Sequence, residues 1–185
     1  MNGAVRRAAR LTLSPDAEWQ AICDEAPGGQ RILASFVLPL ACIPTISLCL
    51  GLLLFEQEKS IDLARIVHRG AVVYFGSLLS IILLAGSLYV LAPLFTARRT
   101  WTRVLQVAAY SSAPVMLAGF MLLWPALAFA TLPAVIHGFY LIYVGVRHVL
   151  GVKEANAAEF VALVIVLLVI ASTMLGALGS WLGVL

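Results

Sequence analysis

The chain alternates between long apolar stretches and short charged segments. Ile32–Phe55 and Gly70–Ala97 contain no charged residue, and neither does Phe160–Leu185. A helix needs about 20 mostly apolar residues to cross roughly 30 Å of hydrocarbon, so each stretch is long enough to span a membrane. Apolar residues run on without the period-two alternation of barrel strands, and the pattern therefore predicts helices.

A fourth uncharged stretch, Val104–Val146, is too long for one span. As a single helix it would extend roughly 65 Å, about twice the hydrocarbon thickness. We divide it at Trp124-Pro125, because proline lacks an amide donor and suits the first turn of a new helix. Pro133 is the rival break point, but it would leave one arm too long and the other too short. The predicted spans are 32–55, 71–95, 104–124, 125–146 and 160–183.

The first 31 residues form a separate segment before the membrane domain 32–185. Ser14-Pro15 is typical of a helix start, with a hydroxyl N-cap followed by proline at the first helical position. The pattern predicts an amphipathic helix over about 14–26, lying along the membrane interface and shielding one end of the bundle. Its acidic face leaves a second interpretation open, a docking site for a basic partner. The apolar face consists of Trp19, Ile22, Cys23 and Ala26.

Basic residues are distributed unequally between the two predicted sides of the membrane. Nine Lys and Arg residues fall in the N-terminal segment, the 96–103 loop and the 147–159 loop, against three in the 56–69 loop. For the 56–69 segment we favour a solvated loop over a short amphipathic turn on the outer face. Because cytoplasmic loops carry the excess of Lys and Arg, we expect a cytoplasmic N-terminus and an external C-terminus. Arg outnumbers Lys ten to two, a composition typical of GC-rich bacteria, so the expected location is the bacterial inner (plasma) membrane.

Composition supports the membrane interpretation. The chain is 62% hydrophobic and 11% charged, with a mean hydropathy of +1.02. Such a chain cannot cover its surface with polar groups in water, which excludes a soluble domain, a disordered chain and a nucleic-acid-binding domain. The three cysteines form no C-x-x-C motif, and we expect no metal and no small-molecule cofactor. The fold class is therefore all-α, a bundle of five transmembrane helices whose first partner is the lipid bilayer.

Polar side chains inside the spans are the candidates for function. His137 is the one ionisable Asp, Glu, Lys, Arg or His residue within a predicted span. If the hairpin turns at 124–125, Ser112 lies level with His137, and Ser111 with Gly138. Two interpretations remain open: hydrogen bonds that hold helices together, or a small polar pocket for a lipid headgroup. The candidate residues are Gln106, Tyr110, Ser111, Ser112, His137, Tyr140 and Tyr143.

Small residues recur every four positions along the last span. Small residues let helix backbones approach closely, so this stripe favours packing on another helix. The partner helix belongs either to the same chain or to a second subunit, which the sequence leaves undecided. The candidate packing residues are Ser172, Gly176, Gly179, Ser180 and Gly183.

Several motifs in order along the chain resemble the Yip-one-domain family of five-span membrane proteins, in its short bacterial branch. They are Ser14-Pro15-x-x-x-Trp19, Leu38-Pro39-Leu40-Ala41, Ala109-Tyr110-Ser111-Ser112-Ala113-Pro114, Leu123-Trp124-Pro125 and Tyr140-Leu141-Ile142-Tyr143-Val144-Gly145. The resemblance implies five spans and a cytoplasmic N-terminus. Eukaryotic relatives are associated with Rab GTPases and Golgi traffic, a role that a bacterial chain would not share. No catalytic residues are known for the family, and none are transferred.

The expected function depends on which catalytic groups the predicted spans lack. The spans contain no carboxylate relay and no nucleophile paired with a base, so we do not expect an enzyme. We expect a non-enzymatic scaffold or adaptor that organises lipids or partners, either a second copy or another membrane protein. The alternative is a small transporter or lipid-handling protein with a polar pocket at the hairpin of spans three and four.

Overall fold

The computed structural model describes residues 2–25, 27–55 and 63–181, and the regular structure in these ranges is helical. Five of the helices are long and apolar enough to cross a membrane, which agrees with the predicted fold class. We number the helices in chain order: α1 Asn2–Leu13, α2 Pro15–Glu25, α3 Gly29–Phe55, α4 Leu63–Phe95, α5 Trp101–Leu123, α6 Ala126–Leu150 and α7 Glu154–Trp181.

Helix α5 is the centre of the bundle. In its apolar segment 72% of the residues are buried inside the protein, against 12% in α7. Helices α3, α4 and α6 pack around α5, and α7 packs outside them on α4 and α6. Because α5 carries alanines at 108, 109 and 113, neighbouring backbones can approach it from several sides.

The central helix is interrupted at Ser112. Pro114 has no amide hydrogen to donate to the Tyr110 carbonyl, so the regular hydrogen-bond ladder stops here and resumes at Ala113–Ala118. Beyond the interruption α5 meets α3 closely. A Cβ atom added to Gly119 would lie 2.6 Å from the Pro44 Cβ, so only glycine allows this approach.

The chain turns sharply at Trp124. Its backbone is extended (φ −117°, ψ 105°) between the end of α5 and the 3-10 turns of Pro125–Thr131. A regular α-helix begins at Leu132, with Pro133 in its first turn. Pro125 and Pro133 therefore both lie at the start of a helical segment, and the reversal of direction occurs at Trp124-Pro125.

The N-terminal segment contains two helices rather than one. Helix α1 was not expected from the sequence, and it packs on Ala113–Ala118 of α5 through Ala4, Ala8 and Leu11. Helix α2 turns its apolar face toward the protein. Its Trp19 is fully buried and makes an edge contact with Tyr110, with a distance of 6.2 Å between the ring centroids.

Helix α4 begins before the stretch expected to span the membrane. Residues 63–69 are helical and continue directly into the apolar part of α4, so this part of the 56–69 segment is not a loop. Ile66 is buried, so these first turns of α4 pack against the rest of the bundle. Residues 56–62 lie outside the described ranges, as does the end of the predicted last span.

The contact between Trp19 and Gly145 of α6 leads to a prediction. A Cβ atom on Gly145 would lie 2.7 Å from Cζ2 of the rigid indole ring. We expect Gly145→Ala to displace Trp19 and to destabilise the protein by about 1–3 kcal/mol, the usual cost of overpacking. The matched control is Gly176→Ala, because a Cβ there meets no atom within 4 Å. Thermal unfolding in detergent measures the difference, and equal unfolding temperatures for the two variants would contradict the prediction.

Candidate functional site

A cavity of about 420 Å³ lies in the middle of the bundle, between α3, α4, α5 and α6. Every long helix contributes to its wall, since Leu168 of α7 also reaches it. The wall is mostly apolar, with hydroxyl groups at several points. The lining residues are Pro44, Val73, Ser77, Ser80, Leu84, Ser111, Ser112, Val115, Met116, Gly119, Leu122, Thr131, Val135, Gly138, Phe139, Ile142 and Leu168.

Most hydroxyl groups in the wall already donate a hydrogen bond within their own helix. The Ser77 Oγ donates to the Val73 carbonyl at 2.7 Å, and the Ser80 Oγ donates to the Ser77 carbonyl at 2.8 Å. The Ser112 Oγ donates to the Ala108 carbonyl at 2.7 Å, and Thr131 bonds in the same way to its own turn. These groups retain lone pairs toward the cavity but no free donor.

Ser111 is the exception among the hydroxyls of the wall. The residue is 2% exposed, and its Oγ has no hydrogen-bond partner in the described part of the chain. A buried hydroxyl without a partner costs about 1–3 kcal/mol, so this group favours a ligand that accepts a hydrogen bond. Gly138 lies directly opposite, because a Cβ atom there would be 3.2 Å from the Ser111 carbonyl oxygen. This is one of the pairs that the hairpin register places at equal depth.

Gln106 and Tyr110 lie on a different side of α5, toward the N-terminal segment. The Gln106 Nε2 donates to the Pro27 carbonyl at 3.2 Å, which ties the chain before α3 to the central helix. Tyr110 packs against Phe36, with 4.6 Å between the ring centroids. Both side chains therefore hold the N-terminal segment and do not reach the central cavity.

The three remaining candidates of the predicted polar cluster lie on α6. The His137 ring is 5.8 Å from the Tyr140 ring, and its Nε2 is buried without a hydrogen-bond partner among the described residues. Tyr140 is exposed, on the surface that would face lipid. Tyr143 lies beneath the Arg147 guanidinium, 5.4 Å from its ring centroid. Of the seven predicted residues, the structure brings only Ser111 and Ser112 together at the cavity.

The small residues of α7 face a second, open groove. This groove has a volume of about 580 Å³ and lies between α4 and α7. Ser172, Gly176 and Gly179 line it, whereas the Ser180 Oγ donates to the Gly176 carbonyl at 3.0 Å. A Cβ atom on Gly176 would meet no atom within 4 Å, so α4 does not use this position for close packing. Gly183 lies outside the described ranges.

An ion-pair cluster joins the two N-terminal helices. The Arg7 Nε lies 3.0 Å from the Glu18 Oε1, and the Arg7 Nη2 binds Glu25. The hydrogen bond from Arg7 holds the pKa of the Glu25 carboxyl below its usual value. Because α1 lies against the apolar part of α5, these charges need partners, and α2 supplies them. Glu25 of the acidic face of α2 thus binds a basic group of its own chain.

Sequence reasoning missed this ion-pair cluster and the hydroxyls of α4. Ser77 and Ser80 stand three residues apart in an uncharged stretch, a spacing that puts them on one helix face and could have marked them. Nothing in the sequence pairs Arg7 with Glu18 and Glu25, because the pairing depends on how α1 folds back on α2.

The five long apolar helices and their internal cavity define a polytopic integral membrane protein. Residues 9–176 match the family model of the Yip1 domain, and the chain belongs to this family. Comparisons with curated proteins and with solved structures found no match.

Proposed function

We propose that this protein is a non-enzymatic membrane scaffold that organises lipids and neighbouring membrane proteins. The observation that carries the proposal is the central cavity, to which every long helix contributes and which is lined mainly by apolar side chains. The described residues of the wall are apolar or carry a hydroxyl, a lining that supports binding of a lipid-like ligand.

The cavity suits the hydrocarbon of a lipid better than it suits water. Its volume of about 420 Å³ falls within the usual range of small-molecule sites. Most of the wall is apolar, and among its described hydroxyls only that of Ser111 has a free donor. An acyl chain with an ester or carboxyl oxygen would fill the apolar space and accept that hydrogen bond. The ligand class that we propose is therefore a lipid acyl chain.

The alternative function is a small transporter or lipid-handling protein with a polar pocket between α5 and α6. The two serines of α5 in the cavity wall support it. Transport through a pocket built around His137 has less support, since His137 lies next to Tyr140 and does not line the cavity.

Contact with other membrane proteins forms the second half of the scaffold proposal. Helix α7 is the least buried of the five long helices, and its small residues border an open groove. The free space at Gly176 would allow the backbone of another helix to approach closely. We propose that a helix of a second copy or of another membrane protein packs here.

We also propose the inner (plasma) membrane as the location, with the N-terminus in the cytoplasm. Hydrogen bonds draw the basic loops together at one end of the bundle. The Arg103 Nη1 donates to the Val149 carbonyl at 2.9 Å, and the Arg98 amide donates to the Leu150 carbonyl at 2.9 Å. An end with this excess of basic residues is expected on the cytoplasmic side.

Substitutions at the cavity test the lipid proposal. The probe is a phospholipid with a photoactivatable acyl chain, and mass spectrometry measures its crosslinking to the wall. We expect Ser111→Ala to lower crosslinking about 2- to 10-fold, the range expected for one lost neutral hydrogen bond. Val135→Phe should also lower crosslinking, because the larger side chain occupies part of the space.

The matched control is Ser112→Ala, which should leave crosslinking unchanged because the Ser112 hydroxyl already donates to Ala108. His137→Ala should also have no effect. Equal losses in both serine variants would contradict the proposal, and a loss with His137→Ala would favour the transporter alternative.

A substitution in the groove tests for a packed partner. Gly176→Leu should abolish chemical crosslinking of the protein to a second copy or another membrane protein in native membranes, because leucine occupies the space at the helix surface. Gly86→Leu is the control, since a Cβ at Gly86 also meets no atom within 4 Å and Gly86 does not line the groove. Recovery of a lone monomer from the unmodified protein would count against this part of the proposal.

Reporter fusions test the orientation. Alkaline phosphatase, which is active only outside the cytoplasm, should be inactive when fused to the N-terminus and active when fused after Leu185. Five spans place the two ends on opposite sides of the membrane. Equal activity of the two fusions would refute the proposed topology.

A further inference from the structure

A further cavity lies at the end of the bundle that carries the N-terminal helices, and charged side chains border it. The cavity has a volume of about 330 Å³ and opens between α1, the first turns of α3, and α5. Three guanidinium groups, those of Arg7, Arg10 and Arg31, border it together with one carboxylate, Glu25. The central cavity differs, because none of the described residues in its wall is charged.

The ion pairs of this region leave positive charge uncompensated. Arg7 is occupied by Glu18 and Glu25, which neutralise it. The Arg10 Nε is 3.8 Å from the Glu18 Oε2, so Arg10 shares a carboxylate that already binds Arg7. No carboxylate of the described residues lies within 4.0 Å of the Arg31 guanidinium. Three arginines against two glutamates leave a net positive charge near Arg10 and Arg31.

The opposite wall of the cavity is aromatic. The rings of Phe36 and Tyr110 pack at 4.6 Å and form an apolar floor below the arginines. Ser35 adds no free donor, because its Oγ donates to the Arg31 carbonyl at 2.6 Å. The cavity is therefore basic at its mouth and apolar at its floor, a combination that fits an amphiphile.

Arg31 stands at the depth where lipid phosphates are expected. It lies in the first turn of α3 and is the last charged residue before the uncharged stretch Ile32–Phe55. Long basic side chains at the ends of membrane helices extend toward the interface and keep their charge among the headgroups. The Arg31 guanidinium is thus placed to meet a phosphate from the adjoining leaflet.

We propose that this cavity binds the phosphate group of an anionic phospholipid, through Arg10 and Arg31. The glycerol and the first acyl carbons lie on the Phe36–Tyr110 floor. Basic pockets between membrane helices hold anionic headgroups in this way. The excess of guanidinium groups disfavours zwitterionic lipids, whose ammonium group would meet like charge. The site is separate from the central cavity and does not depend on lipid binding there.

The test is native mass spectrometry of the purified full-length protein, with phosphatidylglycerol and phosphatidylcholine as probes. We expect the unmodified protein to retain phosphatidylglycerol preferentially. Arg31→Gln should lower that preference about 5-fold, which corresponds to ~1 kcal/mol for one basic residue. The double variant with Arg10→Gln should abolish the preference, whereas Arg31→Lys should retain most of it because the charge remains.

The matched control is Arg6→Gln, which removes an exposed charge from the same helix as Arg10 but outside the cavity wall. Its effect should stay below about 2-fold. Equal losses for Arg6→Gln and Arg31→Gln, or equal retention of both lipids by the unmodified protein, would overturn the proposal. Inorganic phosphate alone should not bind measurably, and binding as strong as that of the lipid would overturn the assignment to a headgroup.

Unfolding temperatures of all variants establish that the proteins compared are folded. Val135→Phe in the central cavity should leave the preference for phosphatidylglycerol intact. That result would separate a failure of the central-cavity proposal from a failure at this site, and loss of the preference in Val135→Phe would contradict the independence of the two sites.

Discussion

The architecture of this protein depends on satisfying backbone hydrogen bonds in a solvent that offers none. In hydrocarbon each unpaired amide or carbonyl costs several kcal/mol, so irregular backbone is tolerated only where other helices cover it. The interruption of α5 at Ser112 satisfies this condition, because α5 is the most buried helix of the bundle. The irregular turn also leaves unfilled space beside it. The central cavity lies beside the interrupted turn, and the unpartnered hydroxyl of Ser111 faces it.

The N-terminal helices make the two ends of the bundle different. At one end Trp19 is buried against α5 and α6, and Arg7 binds two glutamates of α2, so charge and aromatic surface are both covered. Toward the other end α4 and α7 separate, and the small residues of α7 border an open groove. The proposed binding sites thus lie on chemically distinct surfaces: an apolar cavity, a basic pocket and a groove of small residues.

The function that we propose for this member of the Yip1 domain family depends on these three surfaces. Acyl-chain binding in the central cavity and phosphate binding near Arg31 would recognise different parts of lipid molecules, one through shape and a single hydrogen bond, the other through charge. A membrane scaffold that holds lipids at two sites can change the local composition of the bilayer without chemical catalysis. The groove along α7 would then bring another helix into the same lipid environment.

The sequence alone determined the number of long apolar helices and the turn at Trp124, because uncharged length and proline act locally and need no knowledge of neighbours. It also placed Ser111 level with Gly138, and the two residues are in contact in the structure. The tertiary structure decided which way each side chain faces. Ser111 and His137 lie at similar depth, yet the first lines the central cavity and the second lies beside Tyr140, since packing sets the rotation of a helix about its axis. Ala4, Ala8 and Leu11 stand at helical spacing and could have marked helix α1, but only the tertiary structure shows that α5 covers this face and that α2 neutralises Arg7.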